Sequence, residues 1–305
     1  MPAAATDRRG TVRASMRVVS LLPSATEIVA ELGLDRILVG RSEECDWPPQ
    51  VAALPVVSAA RLDTSALSSR AVDDAVRDAV AGGRPLYAVD EELLADLAPD
   101  LLLTQDLCAV CAVASGELRL VDVPVLSLDP LTLDDVAASV EAIAAALGAP
   151  ELGLTRAARM RGELAAVRAA TEGLPRRRVF LAEWVDPPYA PGHWLPELVE
   201  LAGGSCVLGR PGEPSMRTTW DAILTARPEL VVLAPCGYDA ERASHEPVPD
   251  GIGCRVVAVD GSAYYARPAP RLVDGARQLA HLLHPKAVPD PGLPTIDVTP
   301  AGVLT

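Results

Sequence analysis

Short apolar runs alternate with amphipathic segments along almost the whole chain, a pattern that is typical of α/β proteins. The apolar runs are dense in Val, Leu and Ile, as in parallel strands that are buried on both faces. Strands are predicted at 17–22, 37–40, 100–104, 123–127, 178–182, 229–234 and 255–259. Helices are predicted at 68–82, 91–98, 133–147, 194–202, 219–227 and 269–283. A further helix follows the first strand, where Ser24 and Glu27 have the spacing of a capping box.

One segment near the middle of the chain predicts a single long helix. Residues 151–173 are rich in Ala, Leu, Arg and Glu, and Gly173 and Pro175 close the segment. The predicted fold class is therefore α/β, with two lobes that carry parallel-type sheets and are joined by this helix. The predicted boundaries are 1–15 for a flexible N-terminus, 16–150 for the N-terminal lobe, 151–175 for the linking helix, 176–285 for the C-terminal lobe and 286–305 for a flexible tail.

The two lobes share a short internal echo. In each lobe a helix with an acid near its start leads through a proline and a second acid into an apolar strand. The first copy runs from Glu92 through Pro99, and the second runs from Asp221 through Pro228. The two copies align with each other without a gap. Chance similarity between two α/β units is one explanation. The other is that two lobes of similar build face one another.

The hydrophobic content, net charge and apolar run lengths of the chain exclude several classes of protein. Half of the 305 residues are hydrophobic, which is enough to bury real cores. The 41 acidic and 27 basic residues give a net charge of −14, which argues against a nucleic-acid partner because phosphate binding depends on Lys and Arg. No apolar run is long enough for a membrane span or for the apolar part of a signal peptide. The sequence therefore predicts a cytoplasmic protein whose thiols stay reduced.

Four of the six cysteines follow predicted strands, where ligands of open parallel sheets gather. These are Cys45, Cys108, Cys111 and Cys236. Cys108 and Cys111 form a C-x-x-C pair, and the echo sets Cys236 one residue from Cys108 in register. Four thiolates suit zinc or an iron–sulfur cluster. The alternative is that each is a small buried apolar residue. Cys206 and Cys254 follow no strand in this way, and we expect them in the core or on the surface.

The aromatic residues, only 3% of the chain, also concentrate in loops after predicted strands. Those predicted to contact a ligand, together with a neighbouring histidine, are Trp47, Trp184, Tyr189, His193, Trp194, Tyr264 and Tyr265. Such a lining favours a large flat ligand. No glycine-rich nucleotide motif, nucleophile elbow or convincing nucleophile–His–acid set is present, so the sequence favours binding over catalysis.

Five segments, in their order and spacing, resemble the cobalamin-binding, helical-backbone family of ABC-transporter substrate-binding proteins. They are SLLPSATEIVAELG, RSEECDWPP, LAPDLLLTQ, RVFLAEWVDPPYAPG and YYARPAPRLVDGARQLA. The resemblance covers about residues 16–285. It implies two Rossmann-like lobes joined by a rigid helix, small lobe movement, and a corrinoid clamped between the lobes.

The resemblance also implies roles for individual residues. Trp47, Tyr189 and either Tyr264 or Tyr265 match aromatic residues that line the corrinoid cleft. Glu92 and Asp221 match a pair of acids, one in each lobe, that such proteins offer to arginines of an ABC permease. An acid in the first turn of a helix is also favourable without any partner, because it interacts with the helix dipole.

Two departures from the family leave three functions open. This sequence shows no export signal, and its segment 58–89 is longer than in the periplasmic cobalamin carrier. The chain instead resembles a subgroup of the family that lacks an export signal and in which TQDLC-x-VC and PCG segments recur. The first function is binding of cobalamin or a related metallo-cofactor without catalysis. The second is a cytosolic metalloprotein with iron–sulfur or zinc on the four cysteines, with a redox or cofactor-processing step. The third is an exported transport receptor whose true start lies upstream.

Overall fold

The computed structural model describes residues 16–106 and 123–299. Its internal contacts divide the chain into two compact units. As far as they are described, unit 1 comprises Met1–Ser65, Ala75–Asp129 and Asp135–Arg159, and unit 2 comprises Ala66–Asp74, Pro130–Asp134 and Met160–Thr305. Among the described residues, no helix is both long and apolar enough to cross a membrane.

Unit 1 is built on a six-stranded sheet in the order β4-β3-β2-β1-β5-β6, in which only β4 runs antiparallel to its neighbour. Its strands are β1 (Val18–Ser20), β2 (Leu38–Ser42), β3 (Val56–Ala60), β4 (Tyr87–Val89), β5 (Leu101–Thr104) and β6 (Val125–Ser127). The helices of this part of the chain are α1 (Pro23–Glu31), α2 (Ser69–Ala81), α3 (Glu91–Leu97), α4 (Leu133–Ala146) and α5 (Pro150–Thr171). The long helix α5 is continuous, and its residues divide between the two units.

Unit 2 holds a five-stranded sheet in the order β10-β7-β12-β13-β14 and a small sheet in the order β11-β9-β8. The strands are β7 (Arg177–Ala182), β8 (Trp184–Val185), β9 (Pro188–Ala190), β10 (Gly204–Cys206), β11 (Met216–Arg217), β12 (Leu230–Leu233), β13 (Arg255–Val259) and β14 (Thr295–Asp297). The helices are α6 (Leu195–Leu201), α7 (Trp220–Thr225), α8 (Ala240–Ser244), α9 (Gly261–Tyr264) and α10 (Leu272–Leu283). The α/β fold class is confirmed, and every predicted strand and helix is present within a few residues of its predicted ends.

Two local features differ from the sequence-based expectations. No side chain caps α1: the helix begins at Pro23, and both Ser24 and Glu27 are buried on its packed face. The tail after 285, expected to be flexible, contains β14, which pairs antiparallel with β13. An ion pair between Arg255 and Asp297, at 2.6 Å, joins the same two strands. The described part of the tail, which ends at Thr299, is therefore attached to the unit 2 sheet.

The internal echo extends over four strands of each unit. Unit 1 contains the parallel order β2-β1-β5-β6, and unit 2 contains the parallel order β10-β7-β12-β13. In both units a short helix, α3 or α7, precedes the third strand of this order. Its first turn is capped by the side chain of Asp90 in one unit and of Thr219 in the other. The two units are therefore built alike.

The echo also repeats one set of contacts at the start of the paired central strands. In unit 1, the backbone N–H of Arg17 donates to the Asp100 carboxylate at 2.8 Å. The backbone N–H of Asp100 donates in return to the Arg17 carbonyl, also at 2.8 Å. In unit 2, Arg178 and Glu229 make the same two bonds at 3.0 and 2.7 Å. Each arginine Nε also donates, at 2.7 Å, to a carbonyl at the end of the short helix of its unit. The repeated acids of the sequence thus fasten equivalent strands.

Each unit departs from the shared pattern by an insertion. Unit 1 gains β3, α2 and β4 between β2 and α3, and unit 2 gains the β8–β9 hairpin between β7 and α6. The segment Ala66–Asp74, which includes the first turn of α2, belongs to unit 2 by its contacts. The predicted boundaries had placed that segment in the N-terminal lobe.

Gly261, the first residue of α9, lies against the loop that follows β12. A Cβ at this position would lie 2.5 Å from the carbonyl oxygen of Pro235 and 2.5 Å from the carbonyl carbon of Ala234. Both contacts are with backbone, which has no flexible end to move aside. The close approach of the loops that follow β12 and β13 therefore requires the absence of a side chain.

We expect Gly261→Ala to lower the free energy of unfolding by about 1–3 kcal/mol, as overpacking does. Gly162→Ala is the matched control, because Gly162 lies inside α5 with nothing within 4 Å of its added Cβ. That change should stabilise the protein by about 0.5–1 kcal/mol. Urea unfolding of both variants measures the difference, and equal midpoints would contradict this account of the contact.

Candidate ligand-binding site

The carboxyl ends of β7, β12 and β13 lie along one edge of the unit 2 sheet, because these strands are adjacent and parallel. Ligands of open parallel sheets bind at such an edge. The segments that leave it carry predicted site residues, among them Trp184 after β7, Cys236 after β12 and Tyr264 after β13. The backbone N–H of Cys236 donates to the carbonyl of Glu183 at 3.2 Å, which ties the first two loops together.

The β8–β9 hairpin presents the largest aromatic group at this edge. Its tight turn contains Asp186 and Pro187, and Trp184 and Tyr189 lie directly opposite one another across the two strands. Cross-strand partners of this kind project on the same face of a sheet. Tyr238 packs edge-on against Trp184, with ring centroids 5.2 Å apart. Trp184 and Tyr189 are half-buried, so part of each ring is open to a ligand.

Polar groups surround Tyr264 at the same edge. The Arg271 guanidinium lies 5.6 Å from the centre of the Tyr264 ring. Arg267 donates to the Ser262 hydroxyl at 3.3 Å. Asp260 accepts a bond of 2.7 Å from the backbone of α9, and burial raises the pKa of its carboxyl. The edge therefore combines an aromatic face with charged groups of both signs.

His193 follows the hairpin and is half-buried. Its backbone has a φ of 51°, in the left-handed region, and its N–H donates to the carbonyl of Glu213 at 2.6 Å. Burial lowers the pKa of the imidazole, so the neutral form is favoured at neutral pH. A neutral imidazole is the form that ligates metals. The side chain is thus chemically suited to the metal of a bound cofactor.

Two of the predicted contact residues are packed in the core of unit 2, and their contact with a ligand stays a prediction. Tyr265 is fully buried, and its hydroxyl lies 3.0 Å from Oε1 of Gln278 and 3.2 Å from the carbonyl of Gly275. Burial raises the pKa of this hydroxyl strongly. Trp194 is also buried, and its Nε1 donates to the carbonyl of Tyr265 at 2.9 Å. Adjacent tyrosines in a sequence do not reveal which ring faces inward.

The predicted cysteine cluster stays a prediction. Cys45 is fully buried in unit 1, with its Sγ 3.0 Å from Thr26 Oγ1 and 3.8 Å from the carbonyl of Ser20. Cys236 is exposed. Cys108 and Cys111 lie outside the described residues. Within 16–106 and 123–299, no group of three or more His, Cys, Asp or Glu side chains is arranged to hold a metal ion.

The remaining predicted residues lie on the surface. Trp47 is 40% exposed in the loop that follows β2. Glu92 and Asp221 are exposed in the first turns of α3 and α7, at equivalent positions of the two units. Their positions agree with the register of the sequence echo.

Sequence reasoning missed a group of residues around the hairpin. In the N-terminal part of α2, the Ser69 carbonyl accepts a bond from Trp184 Nε1 at 3.1 Å, and Asp73 accepts one from the Tyr189 hydroxyl at 3.0 Å. The Ser69 hydroxyl donates to Glu246. The helical pattern at 68–82 was visible in the sequence. Its partners, more than a hundred positions away, left no local signal.

The family comparison decides the class of the protein. The model of the periplasmic binding protein family matches residues 18–250. The chain belongs to this family. Among curated relatives, it is 23% identical over 288 residues to a vitamin B12-binding protein of Yersinia pestis (strain Pestoides F), an alignment that covers 92% of this chain and 89% of the relative. A vitamin B12-binding protein of Yersinia pseudotuberculosis (serotype O:1b, strain IP 31758) matches equally.

Solved structures of the family share the fold. The periplasmic vitamin B12-binding protein BtuF of Vibrio cholerae superposes with a TM-score of 0.65 at 23% identity, covering 88% of this chain and 96% of that one. The periplasmic haem-binding protein RhuT from Roseiflexus sp. RS-1 superposes with a TM-score of 0.65 at 20% identity, covering 90% and 99%. The same fold thus occurs in relatives whose names give two different metallo-cofactors.

The environments of the described cysteines predict their reactivity. Cys236 is exposed, whereas Cys45 is fully buried and burial raises the pKa of the Cys206 thiol to about 12. Because the thiolate is the nucleophile, iodoacetamide at neutral pH should label Cys236 at least about tenfold faster than Cys45 or Cys206. Peptide mapping by mass spectrometry measures each site separately. Equal labelling of Cys45 and Cys236 in the folded protein would refute this assignment.

Proposed function

We propose that this protein binds cobalamin or a related corrinoid or haem-type metallo-cofactor, and that it does so without catalysing a reaction. The observation that carries the proposal is the half-buried aromatic surface of Trp184, Tyr189 and Tyr264 at the carboxyl edge of the unit 2 sheet. Aromatic faces with a few fixed polar groups suit a large flat ligand. Family membership and the names of the relatives support the same ligand class.

The other roles at the site follow from the local chemistry. Trp184, Tyr189 and Tyr264 contact the macrocycle, and His193 supplies a neutral imidazole near its metal. The role of Trp47, which lies in unit 1, stays a prediction from the sequence resemblance. Arg267 and Arg271 interact with polar substituents of the ligand. Cytoplasmic location and the alternative of metal on cysteines both stay predictions.

An ABC permease is the partner that we propose for this protein. Periplasmic binding proteins work with ABC transporters, and the exposed Glu92 and Asp221 occupy equivalent positions of two units that are built alike. Such a pair offers one carboxylate from each unit to basic residues of a partner.

Charge reversal at both positions tests this partner. Glu92→Lys with Asp221→Lys should abolish co-purification with the cognate permease while ligand binding persists, because like charges then meet at the contact. Glu151→Lys with Glu172→Lys is the matched control, an equal charge change at exposed residues at or near the two ends of α5. If the Glu92 and Asp221 variant co-purified as well as the unmodified protein, these two acids would not be part of the docking surface.

Titration with cyanocobalamin and, separately, with haemin tests the ligand class. We expect one of them to bind saturably. The absorbance of the ligand, in the Soret region for haemin or from the corrin ring for cyanocobalamin, measures this binding. Tyr264→Ala should weaken the Kd at least about tenfold, or about 1.4 kcal/mol, because it removes an aromatic face. Trp220→Phe is the control, because Trp220 packs on Phe180 in the unit 2 core with ring centroids 6.3 Å apart.

The outcomes of this titration are decisive. Binding of cyanocobalamin alone assigns a corrinoid, and binding of haemin alone assigns a haem-type ligand. If neither ligand changes its spectrum or releases heat on mixing with the folded protein, the proposed function is wrong. If Tyr264→Ala and the unmodified protein bound the ligand with equal affinity, Tyr264 would not be a contact residue of the site.

A further inference from the structure

The N-terminal part of α2 is anchored on the β8–β9 hairpin by polar contacts. The Ser69 carbonyl accepts from Trp184 Nε1, and the Asp73 carboxylate accepts from the Tyr189 hydroxyl. Arg70 forms an ion pair with Asp186 in the turn of the hairpin. We refer to residues 69–73 as the strap. Each of these anchors uses a polar atom of a residue in or next to the candidate site.

Two further contacts fasten the strap to the rest of unit 2. The Ser69 hydroxyl donates to the carboxylate of Glu246, and Arg217 of β11 lies 3.8 Å from the Asp73 carboxylate. Val72 is the one large apolar side chain of the strap, and it is buried, as are Ser69 and Asp73. Exposed ion pairs such as that of Arg70 contribute little to stability and weaken with salt. The hydrogen bonds and ion pairs of the strap are contacts that water or a polar ligand can replace.

The chain on both sides of the strap permits movement. The preceding residues 61–68 form no helix or strand, and Asp63 closes a local turn with Ser65 there. The helix that carries the strap ends at a glycine pair, Gly82 and Gly83, and Gly83 has a φ of 63°. Glycine tolerates changes of backbone conformation that other residues resist. The strap is thus bounded by a polar loop on one side and by two glycines at the far end of its helix.

The strap also contacts a half-buried carboxyl group. Burial raises the pKa of the Glu246 carboxyl, and the nearby Asp186 acts in the same direction. The hydrogen bond from the Ser69 hydroxyl and the charge of Arg242 act in the opposite direction. The Ser69 hydroxyl therefore offsets part of the cost of burying Glu246.

We propose that residues 69–73 form a detachable strap over the Trp184–Tyr189 hairpin, and that a ligand displaces this strap to contact the two aromatic side chains. The second half of this statement rests on the proposed function. In the closed state, the indole N–H of Trp184 and the hydroxyl of Tyr189 are engaged by the chain itself. A ligand with polar substituents takes over these donors when the strap leaves.

Charge reversal tests the strap in the full-length protein. Arg70→Glu places a like charge against Asp186 and should speed hydrogen exchange of the 66–74 backbone at least about threefold. It should also raise acrylamide quenching of Trp184, measured against the same variant with Trp184→Phe. Arg36→Glu, an equal charge change at an exposed residue of unit 1, should alter neither quantity. The double variant Arg70→Glu with Asp186→Arg restores an ion pair and should restore slow exchange.

Ligand kinetics test the second half of the proposal. The association rate constant for whichever of cyanocobalamin or haemin binds should rise at least about threefold in Arg70→Glu and return in the double variant. Unchanged exchange and quenching in Arg70→Glu would overturn the strap. Faster exchange with an unchanged association rate would overturn its role in ligand entry. If neither probe binds the unmodified protein, the proposed function fails, and exchange and quenching alone then decide whether the strap detaches.

Discussion

The parallel pairing of β7, β12 and β13 is the constraint on which the candidate site depends. It brings three loops from distant parts of the sequence to one edge, and Gly261 allows two of them to approach closely. The same pairing leaves aromatic side chains of these loops partly open while the strands themselves are buried. The arrangement of the candidate site at this edge is thus a consequence of strand order more than of any single residue.

Unit 1 shows which features belong to the shared pattern. Its equivalent strands are fastened by the same Arg–acid contacts, so the repeated acids of the sequence have a structural role. The insertions are the parts that differ: the hairpin of unit 2 carries Trp184 and Tyr189, and the N-terminal part of α2 covers it. Relatives with the same fold carry names of different ligands. Insertions of this kind can change the contacts at the edge without changing the shared strands.

The sequence predicted the helices and the central strands because their periodic apolar patterns and terminal signals are local. It missed the pairing of α2 with the hairpin, since the Ser69–Trp184 and Asp73–Tyr189 contacts join positions that no local pattern relates. It also could not separate Tyr264 from Tyr265, which differ only in which one faces the core. It predicted Trp184 and Tyr189 in one loop, whereas they lie in strands β8 and β9 as cross-strand partners.

Hydrogen exchange of the protein with and without cofactor decides whether a ligand binds at the carboxyl edge of the unit 2 sheet. We expect slower exchange in the three peptides that contain Trp184–Tyr189, Cys236 and Tyr264 when cyanocobalamin or haemin is present. Peptides from the far ends of the same strands, such as the one around Arg178, serve as internal references. Protection confined to peptides away from the carboxyl edge of the unit 2 sheet, with these three unchanged, would contradict the account.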